Sequence, residues 1–83
     1  MQIIYSPQFQ RSFRKLPQQL QVEAWELLEL FKINPFNPKL RTHKLSHTQT
    51  YSFSVTYKIR ILFVREQDIF ILLNIGDHSV YRK

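Results

Sequence analysis

The sequence predicts an α+β domain in the order βααβββ, a mostly antiparallel sheet with a helical hairpin packed on one face. Three observations predict it. Two stretches with apolar residues at helical spacing meet at Pro17. A run from Tyr51 to Tyr57 alternates large apolar with small polar side chains. Two more apolar stretches follow, separated by the turn residues Glu66, Gln67 and Asp68. With 83 residues the chain is expected to form one domain, 1–83, with no room for a second.

Taken in order, Gln2 to Tyr5 is a short strand candidate. Ser6-Pro7 reads as a helix start, with Ser6 as N-cap and Pro7 at the first helical position. Phe9, Phe13 and Leu16 then mark one helical face, and Pro17 ends that helix and opens the next. From Gln18 to Ile33 the residues Leu20, Ala24, Leu27, Leu28 and Phe31 trace a second apolar stripe, with Trp25 off its centre. Asn34-Pro35-Phe36-Asn37-Pro38 cannot continue a helix, because each proline lacks an N–H donor and restricts the residue before it. Lys39 to Thr50 is polar and basic. Tyr51, Phe53, Val55 and Tyr57 define a strand with one wet face, Ile59 to Arg65 the next, and Ile69 to Ile75 the last, before a tail from Asp77 to Lys83. If Ile61, Phe63, Ile71 and Leu73 face the helices, parity puts Leu62, Val64, Phe70 and Leu72 on the other face. A face partly apolar and partly basic is either a binding surface or buried between neighbours.

Charge gives the first hint of function. The net charge is +6, from 12 basic and 6 acidic residues. Glu23, Glu26 and Glu29 share one expected helix, and no acid then occurs before Glu66. That acid-free stretch holds Lys32, Lys39, Arg41, Lys44, Lys58, Arg60 and Arg65. Segregated positive charge attracts polyanions, here a nucleic acid or an acidic protein. There is no cysteine, so disulfides and thiolate metal sites are excluded, in keeping with a reducing compartment. The first residues lack the basic start and apolar core of a secretory leader, and no apolar run approaches membrane-spanning length. The expectation is a cytoplasmic protein without a membrane partner.

Several short motifs also occur in a definite order. They are Phe13-Arg14-Lys15-Leu16-Pro17, Asn34-Pro35, Leu40 to Leu45 ending in His43-Lys44-Leu45, and Tyr51-Ser52-Phe53-Ser54-Val55. Arg60-Ile61-Leu62-Phe63, Ile75-Gly76-Asp77-His78 and Val80-Tyr81 follow. Together they resemble the RelE/ParE superfamily of toxin–antitoxin systems over nearly the whole length. The resemblance implies a RelE-like fold, endonucleolytic cleavage of mRNA, usually in the ribosomal A site, and neutralisation by a cognate antitoxin in a hetero-oligomer. Arg60 matches an arginine that holds the scissile phosphate in several members. His78 matches the histidine that YafQ-like members carry after a glycine. His43 matches a histidine placed before the last three strands, and Tyr81 lies near an aromatic residue common at the end. The sequence also departs from the pattern. Tyr51 and Phe53 occupy the positions of the lysine pair of RelE, and the acidic and histidine residues that YafQ-like members carry on the middle strands are missing.

The residue chemistry agrees with that implication. Cleaving RNA needs a base for the ribose 2′-OH, an acid for the leaving 5′-oxygen and a cation for the phosphate. Imidazole titrates near neutral pH and suits proton transfer. Guanidinium stays charged and grips two phosphate oxygens at once. Aromatic rings stack on unpaired bases. The expected catalytic set is His78, Arg60, His43 and Tyr81, with Lys44, Lys58 and Arg41 as RNA contacts, and acid and base unassigned. In the bland reading, His43 braces a loop, Arg60 makes a structural ion pair and His78 and Tyr81 belong to a surface tail. A zinc site from His43, His47, Asp77 and His78 matches no strong ligand spacing, and a chain with one glycine has no Gly-rich phosphate loop. No metal or cofactor is expected. Two other readings share the fold: a ParE-like toxin acting on DNA gyrase, which generally lacks the histidine, and a catalytically weak RNA-binding member.

Overall fold

Gln2–Tyr5 forms β1, and the chain turns at once into α1, Pro7–Arg14. Ser6 caps that helix as expected: its Oγ accepts from the Phe9 amide at 3.0 Å, with Pro7 in the first turn. The same hydroxyl donates to the carbonyl of Leu73 at 3.0 Å, so the cap also ties the helix start to the last strand. The computed structural model describes residues 1–81; Arg82 and Lys83, the end of the expected tail, lie outside the described residues.

Helix α2 spans Gln18–Ile33, with Pro17 at its N-cap position. The hairpin is locked by Gln21, whose Nε2 donates to the carbonyls of Phe13 at 3.1 Å and Leu16 at 3.0 Å. The Phe13 carbonyl belongs to the last turn of α1 and the Leu16 carbonyl to the link before α2, so one side chain clasps both sides of the bend. Ala24, Leu28 and Phe31 of α2 are fully buried, as the stripe predicts, while Trp25 is 47% exposed. A 3₁₀ turn, Pro38–Leu40, buries Leu40 and leads to β2, His43–Lys44. Then come β3, Thr50–Ser54, β4, Arg60–Glu66, and β5, Ile69–Gly76, followed by a second 3₁₀ turn, His78–Tyr81.

The sheet order is β1-β5-β4-β3-β2, with β1 parallel to β5 and every other pair antiparallel. The expected α+β class and mostly antiparallel sheet are what the fold shows. Phe31 is the hub of the core. Its ring stacks on Phe53 at 5.0 Å between centroids and meets Phe63 and Phe70 edge-on at 5.0 and 5.6 Å. Such aromatic pairs stabilise beyond the area they bury. No helix among the described residues is long and apolar enough to cross a membrane.

Three details differ from the sequence expectation. The first is strand facing in β5, where Phe70, Leu72 and Ile75 are buried in the core rather than Ile71 and Leu73. The two-residue turn Gln67–Asp68 pairs Glu66 with Ile69, so odd-numbered residues of β4 sit beside even-numbered residues of β5. An irregularity between Leu62 and Phe63 then shifts the register and restores Ile61 opposite Ile75. Secondly, β3 ends at Ser54, not Tyr57: the Val55 amide bonds the Ile59 carbonyl at 2.8 Å, which makes residues 55–59 a turn and leaves Tyr57 82% exposed. Thirdly, His43 and Lys44 pair with Ser52 and Tyr51 as an added edge strand, inside a stretch too polar to show strand periodicity.

Candidate functional site

The sheet face away from the helices is built by register. Arg60 lies between Ser54 and Gly76, Leu62 between Ser52 and Asn74, and Val64 between Thr50 and Ile71. His43 continues the middle row beyond Ser52. Neighbours across strands point to the same side, so these residues share one surface.

Arg60 is half-buried on this face, and its Nη1 donates to Ser54 Oγ. Among the described residues Arg60 has no carboxylate partner, so the structural ion pair of the bland reading is not what holds it. A guanidinium satisfied on one side by a neutral hydroxyl keeps its charge and further donors for an anion.

The tail crosses the end of this face. After Gly76, the Asp77 carboxylate accepts from the Ser79 amide at 2.9 Å, and the Val80 amide bonds the Asp77 carbonyl at 3.1 Å. The Ser79 backbone N–H, and after it the Ser79 side chain, holds the Asp77 carboxyl below the usual carboxylate range. The turn brings the rings of His78 and Tyr81 to 5.8 Å between centroids. Tyr81 reaches back over the sheet, where its hydroxyl lies 3.1 Å from Ser52 Oγ. His78 is exposed and starts two residues beyond Gly76, the register partner of Arg60. The role of Gly76 is to leave space for the tail. Its φ is not positive, but a Cβ there would stand 2.7 Å from Val80 Cγ1.

The register thus puts Arg60 beside Gly76, two residues before His78, and the tail sets Tyr81 against Ser52 in the neighbouring row. His43 lies across the open face on the edge strand, exposed, with Nδ1 3.3 Å from the Arg41 carbonyl. Lys44 pairs with Tyr51, whose ring stacks on the core residue Phe63 at 5.2 Å, so Lys44 belongs to the helix side of the edge. Arg41 caps the first 3₁₀ turn in the left-handed region at φ 54, and Lys58 sits on the β3–β4 turn. Among the described residues, no three His, Asp or Glu side chains gather to hold a metal ion.

The sequence reading missed Ser52, Ser54 and Asn74. Tyr51 and Phe53, which stand at the lysine positions of the resemblance, turn inward, so the open-face positions of β3 carry hydroxyls instead. The alternation of Ser52 and Ser54 with the aromatic residues was the available signal.

Searches for a family model and for a similar curated protein found no match to this chain. Solved structures do match. The YoeB/ParE toxin from Agrobacterium tumefaciens aligns over 94% of this chain and 99% of its own, at 12% identity and a TM-score of 0.78. YafQ from E. coli aligns over 98% and 97%, at 15% identity and a TM-score of 0.78. An archaeal RelE–RelB complex from Pyrococcus horikoshii aligns over 94% of both chains, at 14% identity and a TM-score of 0.77. The chain therefore has the fold of the RelE/ParE toxins, as the ordered motifs predict.

Proposed function

We propose that this protein is the toxin of a toxin–antitoxin pair, a metal-independent endoribonuclease that cuts mRNA on the ribosome and so inhibits translation. The observation that carries this reading is the placement of Arg60 beside Gly76, with His78 and Tyr81 on the turn that follows. Arg60 grips the scissile phosphate and stabilises the charge that builds on it in the transition state. His78 is the main proton-transfer group. The 2′-oxygen loses its proton and attacks phosphorus, the bond to the 5′-oxygen breaks, and that oxygen leaves with a proton. The products are a 2′,3′-cyclic phosphate and a 5′-hydroxyl. Tyr81 positions the RNA by stacking, with its hydroxyl tied to Ser52. His43 plays a lesser part from the far edge. Lys58 and Arg41 add phosphate contacts around the rim, Lys44 lying on the helix side instead, and the site works in the cytoplasm.

The partner is an antitoxin that folds onto the basic surface in a hetero-oligomer. Support comes from the Pyrococcus horikoshii structure of the same fold, which is a complex of RelE with RelB, and from the +6 net charge. The test is expression without a partner, with mRNA 5′ ends mapped after induction. The reading expects arrested growth, halted translation and new 5′ ends inside reading frames. Arrest with intact mRNA and damaged DNA would favour the gyrase-directed reading. Normal growth with folded protein accumulating would contradict the toxin reading altogether.

A further inference from the structure

The open face of β3 carries no charge of its own. Tyr51 and Phe53 pack with the core, and the alternate positions, Ser52 and Ser54, are hydroxyls. Each hydroxyl meets one side chain of the candidate site. Ser52 Oγ lies 3.1 Å from the Tyr81 hydroxyl, and Ser54 Oγ accepts from Arg60 Nη1. Among the described residues no carboxylate pairs with Arg60.

The surroundings leave the holding of Arg60 to Ser54. The two are register partners, the last pair of the β3–β4 ladder before the turn of residues 55–59. The Val55 amide bonds the Ile59 carbonyl at 2.8 Å and the Ile59 amide bonds Thr56 Oγ1 at 3.1 Å, so the turn fixes the two strands beside this pair. On the other side, the partner of Arg60 is Gly76, which has no side chain, and the nearest atom over it is the apolar Val80 Cγ1. An arginine side chain has several free torsions, and ordering it at the moment of binding weakens the binding. A carboxylate would order it beforehand but would also neutralise it. A hydroxyl orients the guanidinium plane and leaves the charge and the remaining donors for an anion.

We infer that Ser54 is a positioning residue for Arg60: its hydroxyl orients the guanidinium for a phosphate without neutralising it, so β3 supplies orientation where it lacks charge. The inference rests on the RNA-cleaving reading for its substrate, but the state of Arg60 is measurable without cleavage.

The experiment compares Ser54→Ala, Ser54→Thr and Ser54→Asp with the wild type. It reads the side-chain nitrogen NMR signals of Arg60, the binding of a 2′-O-methylated oligoribonucleotide that cannot be cut, and the single-turnover rate of RNA cleavage. A guanidinium held at one end turns slowly about its C–N bonds, so its two terminal nitrogens give separate signals, whereas a free one averages them. The wild type and Ser54→Thr should show separate Arg60 signals, and Ser54→Ala an averaged one. Ser54→Ala should slow cleavage about ten- to a hundredfold, the scale expected of a misplaced group. Its affinity for the oligonucleotide should fall less than its rate, because Arg60 acts on charge that builds in the transition state. Ser54→Thr should recover most of the lost rate. Ser54→Asp should keep the separate signals yet cut as poorly as Arg60→Ala, because the carboxylate takes the place of the phosphate. Averaged Arg60 signals in the wild type, an undiminished rate in Ser54→Ala, or equal losses in Ser54→Thr and Ser54→Ala would overturn the inference. If the wild type cuts no RNA, the nuclease reading fails, and the Arg60 signals with oligonucleotide binding then decide for or against Ser54.

Discussion

Ser52 Oγ and the Tyr81 hydroxyl lie 3.1 Å apart, and Ser52 is completely shielded from solvent. One hydrogen bond thus joins the middle of the sheet to the tail that carries His78. The two partners are not equivalent. Tyr81→Phe strands a buried serine hydroxyl and should cost about 1–3 kcal/mol, whereas Ser52→Ala frees a phenol that water can reach and should cost about 1 kcal/mol. The double variant should recover part of the Tyr81→Phe loss. Denaturant unfolding of the four proteins checks this, and strictly additive losses would show that the contact carries no coupling.

Gly76→Ala should displace the tail, because the new Cβ would stand 2.7 Å from Val80 Cγ1. Overpacking of this kind costs about 1–3 kcal/mol. Adding Val80→Ala should restore most of the stability, which a thermal melt would detect. If the second change has no effect, the tail does not approach Gly76 as described.

Asp77 makes the tail sensitive to acid. The Ser79 backbone N–H holds its carboxyl below the ordinary value of 3.8. For a depressed carboxyl the stabilisation is fully present above the ordinary value and is lost as pH falls through the lowered one. The His78–Tyr81 turn should therefore stay intact at neutral pH and fray only below about pH 3.8. Asp77→Asn should remove that acid-dependent step. Tyr81 ring signals followed through an acid titration would report it, and identical profiles for the two proteins would rule out Asp77 as the cap.

Much of the fold was legible in the sequence, because local chemistry dictates it. Ser6-Pro7 specifies a helix start, Pro17 a helix boundary, and the spacing of Ala24, Leu28 and Phe31 the buried face of α2. The facing of β5 was not legible from apolar character alone. Phe70, Ile71, Leu72 and Leu73 are all apolar, so only the Gln67–Asp68 turn and the later register shift decide which of them enter the core. Arg60 and His78 could be named as candidates, yet that the chain leading to His78 leaves the sheet from the position paired with Arg60 is a long-range fact. Ser52, Ser54 and Asn74 were missed because small polar residues on a wet face look like solubilising surface until their neighbours are known.

An antitoxin that neutralises this protein should carry an acidic segment and bind with a salt-dependent rate. The acid-free stretch between Glu29 and Glu66 supplies the attracting charge. Raising ionic strength from low to well above physiological should slow association by about tenfold or more, since steering of this kind decays within a Debye length. Stopped-flow mixing measures it. A neutral antitoxin with salt-insensitive association would contradict the electrostatic part of the account.

In the proposed mechanism His78 transfers protons over a phosphate held by Arg60. The most direct measurement is the single-turnover rate of RNA cleavage by the purified protein and by His78→Ala, Arg60→Ala and His43→Ala, each shown to be folded and to bind antitoxin. Removing a general acid or base costs about 100- to 10,000-fold in rate. His78→Ala should fall at least about 100-fold, Arg60→Ala should abolish cleavage, and His43→Ala should lose less than either. An active His78→Ala beside a dead His43→Ala would reverse the two histidines, and wild-type rates for both would contradict histidine catalysis in this protein.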